Sequence, residues 1–271
     1  MKNKIKIAFI GCGHMARAMI DGMTSPVTEA ALKSNGDKFV ITVADRHESK
    51  LMPIKSKCAV TLDAEEAVGV SDHVIVAIKP QGAEETLRAL DLKDKTVISV
   101  MAGVSTGKLA ELTGAKRIVR VMPNLGASVG ESFNAYVARG MSGEVERIVI
   151  EILASFGLPV AVKESDMDAV TGITGSGPAF MFMAFKAFYD EAIARGFSAE
   201  LAKTMTVQTA LASALAVEGA DCELDCLIRS VCSPGGTTER GVSFLEEKDL
   251  VGILRGAISR SVERSKELGA K

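Results

Sequence analysis

Ile5-Lys6-Ile7-Ala8-Phe9-Ile10-Gly11-Cys12-Gly13-His14-Met15-Ala16 carries an apolar strand directly into a glycine-rich turn and on into a helix. In such a junction Gly11 permits the tight turn, Gly13 lets backbone approach a pyrophosphate, and Ala16 allows close packing of the helix. The amides that open the helix, expected over His14 to Met23, then face the phosphate charge. A turn of this kind also serves folding alone, so its context decides the reading. That context is a series of apolar runs: Phe39 to Val43, closing on Asp45-Arg46, then Ala59 to Leu62, His73 to Ile78, Thr96 to Val100 and Arg117 to Val121. Helical stretches separate them, the alternation that a parallel α/β sheet requires. An amphipathic helix over Ser142 to Phe156 and a short strand from Leu158 to Val162 close the pattern.

The 271 residues, 47% apolar and 24% charged, suffice for a sizeable core in one large or two ordinary domains. A formal net charge of -2 without a Lys/Arg cluster gives no footprint for a nucleic-acid backbone, so no nucleic-acid partner is expected. The chain enters its first strand without an apolar leader and holds no run of about 18 apolar residues. A cytoplasmic protein is expected. The cysteines at 12, 58, 222, 226 and 232 form no pairing pattern suited to a secreted scaffold and are expected to be reduced. Cys222 and Cys226 lie one helical turn apart, but with no histidine nearby and no CxxC pair no metal site is expected.

From Ser165 onward the apolar residues follow a helical period: Pro178 to Arg195, Ser198 to Glu218, Glu223 to Val231 and Asp249 to Leu268. Gly219, Gly241 and Gly269 punctuate their ends, and Ser198 before Ala199-Glu200-Leu201 resembles an N-cap. Met181, Phe182, Met183, Phe185 and Phe188 crowd one helix, which is apolar around most of its circumference and must be buried on most of it. A single small core covers one face of each helix, so a homo-oligomer formed through these helices is expected; the alternative is a deep core helix in a monomer.

Two glycine-rich segments interrupt this half, Thr174-Gly175-Ser176-Gly177-Pro178 and Ser233-Pro234-Gly235-Gly236-Thr237-Thr238, both placed at expected helix starts. Exposed amides at a positive helix end suit an anion such as a carboxylate, and the hydroxyls of Ser233, Thr237 and Thr238 add donors. Either segment alone also reads as a plain turn with proline at the first helical position. Lys79-Pro80 and Met122-Pro123-Asn124 follow strands at the carboxyl edge of the sheet, where ligands of open α/β folds bind. His14, His47 and His73 have no nearby Ser or Cys with a third orienting group, so no catalytic triad is expected.

In this order, the glycine turn, Val76-Ala77-Ile78-Lys79-Pro80-Gln81, Met101-Ala102-Gly103-Val104, Arg120-Val121-Met122-Pro123-Asn124, Asp168 to Ala179 and Ser233 to Thr238 resemble the pyrroline-5-carboxylate reductases, which carry out the last step of proline synthesis. The resemblance spans Ile5 to about Leu268. It implies an amino-terminal Rossmann domain, drawn here at residues 1–162, and an all-α carboxy-terminal dimerisation domain at 163–271. It also implies interlocked dimers, often assembled into rings such as decamers, with the active site between the domains at the dimer interface. In the family, hydride passes from a reduced nicotinamide to the imine carbon of 1-pyrroline-5-carboxylate, giving L-proline. Carried over by motif, Ser233, Gly235, Gly236, Thr237 and Thr238 hold the substrate carboxylate, and the Thr238 hydroxyl, the catalytic group, also reaches the ring nitrogen. Gly11, Gly13, His14, Met15 and Ala16 hold the cofactor, with Ala77, Lys79 and Pro80 bordering its nicotinamide side. The absent triad agrees with this chemistry, since imine reduction needs electrostatic help and a proton rather than a covalent nucleophile.

The chain departs from the family pattern at several places. Leu125-Gly126 follows Met122-Pro123-Asn124 where Thr-Pro is usual, Ala64 stands where an asparagine usually helps hold the adenosine ribose, Lys186 where an acidic residue is common, and Leu224 where a proline is frequent. The stretch Thr24 to Lys38 is longer than usual. Cofactor choice stays open between NADPH and NADH: Asp45 suits a ribose 2'-hydroxyl, whereas Arg46 suits a 2'-phosphate. Two further readings stay open, a reductase for a related cyclic imine and a regulatory paralogue that binds nucleotide or proline.

Overall fold

The computed structural model describes residues 4–25 and 38–269; most of the long stretch between Thr24 and Lys38 lies outside them. In the first half, eight strands form one sheet in the order β3-β2-β1-β4-β5-β6-β7-β8. They are β1 (Ile5–Ile10), β2 (Phe39–Ala44), β3 (Ala59–Thr61), β4 (His73–Val76), β5 (Thr96–Ser99), β6 (Arg117–Met122), β7 (Ser132–Arg139) and β8 (Gly157–Ala161). The order reverses between β1 and β4, the switch point at which open α/β sheets receive their ligands. Side chains alternate across the sheet, so Ile5, Ile7 and Phe9 enter one core layer while Ala8 and Ile10 enter the other. The first layer is closed by α1 (His14–Met23) and α6 (Gly143–Ala154). The second is closed by α3 (Ala64–Gly69), α4 (Ala83–Ala89) and α5 (Thr106–Thr113), while the short α2 (Glu48–Leu51) follows β2.

The sheet is parallel as expected except for one antiparallel pair. Strand β7, not expected from the sequence, pairs antiparallel with β6, from Ile118 opposite Arg139 to Met122 opposite Ala135, and β8 runs parallel to β7. The reason it escaped is chemical. Its fully buried positions include Ser132 and Asn134, which break the apolar pattern. Asn124 N–H donates to Ser132 Oγ at 2.8 Å, and Asn134 Nδ2 donates to the Leu153 carbonyl at 2.8 Å, while Asn134 Oδ1 is buried without a hydrogen-bond partner among the described residues.

A correction concerns Thr174 to Pro178. A helix does start there, at Gly177, but its start is not open, because a helical turn precedes it. The chain runs from α7 (Met167–Val170) through a π-helical turn at Thr171–Gly175 into α8 (Gly177–Ala194), and Ser176 N–H donates to Thr171 O at 3.0 Å. Threonine hydroxyls follow the backbone, Thr171 Oγ1 donating to Met167 O at 2.7 Å and Thr174 Oγ1 to Val170 O at 3.0 Å. The Ser176 amide, expected among those that meet an anion here, is therefore spent within the chain. Inserted π turns of this kind occur frequently at functional sites.

The chain packs as two compact units, one of residues 1–176 with 261–271, the other of residues 177–260. The boundary expected at 162/163 falls inside the first unit. Residues beyond it stay with the first unit because Met167 packs with Met122 and Ala135, and because Ser265 Oγ donates to Asp168 Oδ1 at 2.6 Å.

The second unit is helical: α8, α9 (Ala199–Glu218), α10 (Leu224–Ser230), α11 (Thr237–Glu247) and the greater part of α12 (Leu250–Gly269). Ser198 caps α9, accepting from Leu201 N–H at 3.2 Å. Gly241 lies inside α11 rather than at a helix end. Of this unit's residues only Ala192, Ala202 and Thr206 are buried. Met181, Phe182, Met183 and Phe188 of α8 are more than half exposed, as are Leu215 of α9 and Val251 of α12. The crowded α8 is thus not the deep core of a monomer, and an apolar surface on this scale marks an interface between subunits.

Candidate active site

The turn after β1 requires its two glycines for different physical reasons. Gly11 stands at φ +98, and a Cβ there would lie 2.8 Å from both the Ala77 carbonyl oxygen and Ile78 Cγ2. It therefore lets β1 and the exit of β4 close upon each other, where Ala77 N–H donates to Ile10 O at 2.9 Å. Gly13, the N-cap of α1 at φ −77, would place a Cβ in open space, with nothing within 4 Å. The first bond of α1 runs from Arg17 N–H to Gly13 O, so the amides of His14, Met15 and Ala16 stand ahead of the helical ladder at its positive end. Ala16 is fully buried against the sheet. An open approach at Gly13 before free helix amides fits a pyrophosphate.

Asp45, just beyond β2, is turned onto this loop. Its Oδ2 accepts Cys12 N–H at 2.9 Å and lies 3.4 Å from Lys50 Nζ, while Oδ1 accepts His47 N–H at 2.9 Å. Burial pushes its carboxyl upward, but these two amides and the Lys50 charge prevail and hold it below the ordinary carboxylate value. Three of about four acceptor positions are thus taken within the chain. Arg46 next to it is exposed, its Nε donating to His47 Nε2 at 3.2 Å. Cys12 is buried, and its thiol, raised chiefly by that burial, donates to Lys50 O at 3.2 Å. Lys79 and Pro80 are exposed at the end of β4. Ala64 lines an open concavity of about 490 Å³ with Thr61, Asp63 and Thr86, and brings no polar group to it.

A network that no local signal announced lies on the first unit. Arg120 of β6, almost wholly buried, sets Nη1 2.6 Å from Glu164 Oε1, and Glu164 Oε2 accepts from Thr106 Oγ1 at 2.7 Å. Burial raises the Glu164 carboxyl, yet the Thr106 and Arg120 hydrogen bonds outweigh it and hold the group below its ordinary value. Nearby, the departure at Leu125-Gly126 has a structural account. Gly126 N–H donates to Asn124 Oδ1 at 2.9 Å, and a Cβ at 126 would lie 2.5 Å from Glu131 O, so this turn needs a free N–H and no side chain.

In the second unit, the turn from Ser233 to Thr238 does open a helix, with Gly236 as the N-cap of α11. Gly235 stands at φ +71, which glycine adopts without strain. The residues of the turn are exposed or half-buried. The hydroxyl-bearing Thr237 and Thr238 occupy the first two helical positions, whose amides precede the helical ladder.

Comparison with known proteins bears on what these two sites belong to. A family described as pyrroline-5-carboxylate reductase dimerisation matches residues 164–268, and one described as coenzyme F420-dependent NADP oxidoreductase matches residues 6–103. A pyrroline-5-carboxylate reductase of Methanosarcina acetivorans is 38% identical over the whole of both chains, and one of Arabidopsis thaliana is 34% identical over 97% of this chain and 95% of its own. The chain belongs to the pyrroline-5-carboxylate reductase family. Among solved structures, the reductase of Plasmodium falciparum with NADP bound covers 98% of this chain and all of its own, at 28% identity and a TM-score of 0.85. That of Coxiella burnetii, at 30% identity, covers 98% of this chain and 99% of its own with a TM-score of 0.81.

Membership in the reductase family agrees with both halves of the molecule. The fold is an amino-terminal Rossmann-like α/β domain with a helical carboxy-terminal region, and the region that matches the family's dimerisation domain is the one with an exposed apolar surface and hardly any core. The protein is accordingly a homo-oligomer. Among the described residues no helix is long and apolar enough to cross a membrane, and no group of three or more His, Cys, Asp or Glu side chains is placed to hold a metal ion.

Proposed function

We propose that this protein reduces 1-pyrroline-5-carboxylate to L-proline with NADPH or NADH as the donor. The observation that carries the reading is the pairing, in one chain of this family, of a dinucleotide turn with a hydroxyl-rich helix start suited to a small carboxylate. When bound, the cofactor supplies a hydride for the imine carbon. Gly11 shapes its turn, and Gly13 with the amides of His14, Met15 and Ala16 receives the pyrophosphate. Asp45 and Arg46 border the adenosine ribose, and Ala77, Lys79 and Pro80 the nicotinamide side. The remaining work is positioning and charge. The Thr237 and Thr238 amides and the Ser233 and Thr237 hydroxyls hold the substrate carboxylate at the positive end of α11, with Gly235 and Gly236 giving the turn its shape. The Thr238 hydroxyl reaches the ring nitrogen and orients the imine, which accepts hydride readily once protonated.

The assembly is a homodimer or a larger ring such as a decamer, without nucleic acid. A cytoplasmic location belongs to the same proposal, and the five free cysteines favour it. The test is oxidation of NADPH, and separately of NADH, by purified protein with racemic pyrroline-5-carboxylate. Thr238→Ala is expected to lower kcat/KM about 10- to 1000-fold while leaving cofactor affinity unchanged. Cofactor binding without oxidation of either donor would favour a nucleotide-binding paralogue, and full activity in Thr238→Ala would displace the assigned substrate site.

A further inference from the structure

The turn that opens α11 is closed by a side chain from within the helix. Gly235 N–H donates to Glu239 Oε2 at 2.8 Å, and Gly236 N–H donates to Ser233 O at 2.9 Å. Neither glycine amide is then available to a ligand. The first helical bond runs from Arg240 N–H to Gly236 O at 3.3 Å, which leaves the amides of Thr237, Thr238 and Glu239 ahead of the helical ladder. Packing does not fix Gly235: a Cβ there would meet nothing within 4 Å, and the residue is exposed. Its left-handed backbone, at φ +71, is open to many alternatives in an unconstrained glycine. The Ser233–Gly236 turn bond sets its conformation, and the side chain that adds to it is the Glu239 carboxylate, the one that binds the Gly235 amide itself.

We propose that Glu239 is a positioning residue of the substrate-carboxylate site, a role that rests on the function proposed above. Its acceptor oxygen pins Gly235, so that Ser233, Thr237 and Thr238 are presented in a single arrangement before substrate arrives. Its negative charge acts the other way, since it stands one helical turn from donors that must receive a second carboxylate. The two effects belong to different attributes of one side chain. An amide in its place keeps the acceptor and removes the charge, whereas alanine removes both.

The test measures KM and kcat for pyrroline-5-carboxylate in Glu239→Gln and Glu239→Ala, together with the cofactor dissociation constant and amide hydrogen exchange over residues 233–239. Glu239→Ala is expected to raise KM roughly five- to tenfold, the worth of one modest hydrogen bond, with kcat within about twofold of the parent and cofactor affinity unchanged. Glu239→Gln is expected to leave KM at or below the parent value. Exchange in the turn is expected to quicken in the alanine variant alone. A parent-like KM in Glu239→Ala, or a KM lowered in both variants, overturns the proposal; the second result would make the carboxylate a competitor of the substrate. If the parent protein does not turn over the imine at all, the proposed function fails, and the exchange measurement still decides whether Glu239 pins the turn.

Discussion

Gly11 and Gly13 sit two residues apart, yet replacing each by alanine should separate stability from binding. At Gly11 the added Cβ meets the Ala77 carbonyl oxygen at 2.8 Å, and this oxygen belongs to the backbone leaving β4 and has little room to retreat. The strained φ of +98 costs about 1–3 kcal/mol in a residue with a side chain, and overpacking against Ala77 and Ile78 about 1–3 kcal/mol more. The expected destabilisation is therefore about 2–6 kcal/mol. At Gly13 the Cβ meets nothing, φ is an ordinary −77, and the loss of a glycine N-cap costs less than about 1 kcal/mol. The methyl group nevertheless fills the space through which a pyrophosphate approaches, so the cofactor dissociation constant should rise at least about tenfold, or 1.4 kcal/mol. Urea unfolding at one fixed protomer concentration measures the first effect, and fluorescence titration with NADPH and NADH the second. A Gly11→Ala protein with the parent midpoint, or a Gly13→Ala protein with the parent affinity, refutes the assignment of roles.

Acidification should destabilise the fold in two stages. His73 is buried and held below its ordinary value of 6.5, chiefly by that burial, so the unfolded chain takes up its proton first and stability falls as pH drops below about 6.5. Glu164 and Asp45 are held below 4.5 and 3.8, so their contributions are complete above those values and are lost as pH falls through the lower folded ones. Urea midpoints across pH 7 to 3 check the order, and Glu164→Gln should flatten the more acidic stage. On the surface of the second unit, Met183→Glu places a charge on a side chain that is 73% exposed in the single chain. It should leave the helix content intact and lower the molar mass measured by light scattering, whereas a parent-like assembly would remove α8 from the subunit interface.

What the sequence disclosed depended on whether a residue's partner chemistry was apolar. Strands β1 and β4 are covered on both faces over Ile7–Ile10 and Val74–Val76 and therefore read there as continuous apolar runs. Strand β7 lies in the same sheet, but Ser132 Oγ bonds to the Asn124 amide and Asn134 Nδ2 to the Leu153 carbonyl, and nothing in the local pattern announces that those bonds exist. The π turn was hidden for a related reason, since Thr-Gly-Ser-Gly-Pro reads as a break unless the hydroxyls of Thr171 and Thr174 are known to bond backward along the helix. Arg120 and Glu164 lie 44 residues apart on separate elements and meet only in the fold. The site shows the same division. Its glycines were legible because a positive φ or a close approach admits no other residue, and their spacing is local. Asp45 was legible as an acidic group beside a nucleotide turn, but not its bond to the Cys12 amide, because that bond depends on β2 lying against β1. Glu239 lies between these cases. Its bond to Gly235 spans only four residues, yet glutamate in the first turn of a helix is common enough to pass for ordinary capping, and only the open space where a Gly235 side chain would stand shows that the carboxylate adds to the Ser233–Gly236 bond in holding the turn.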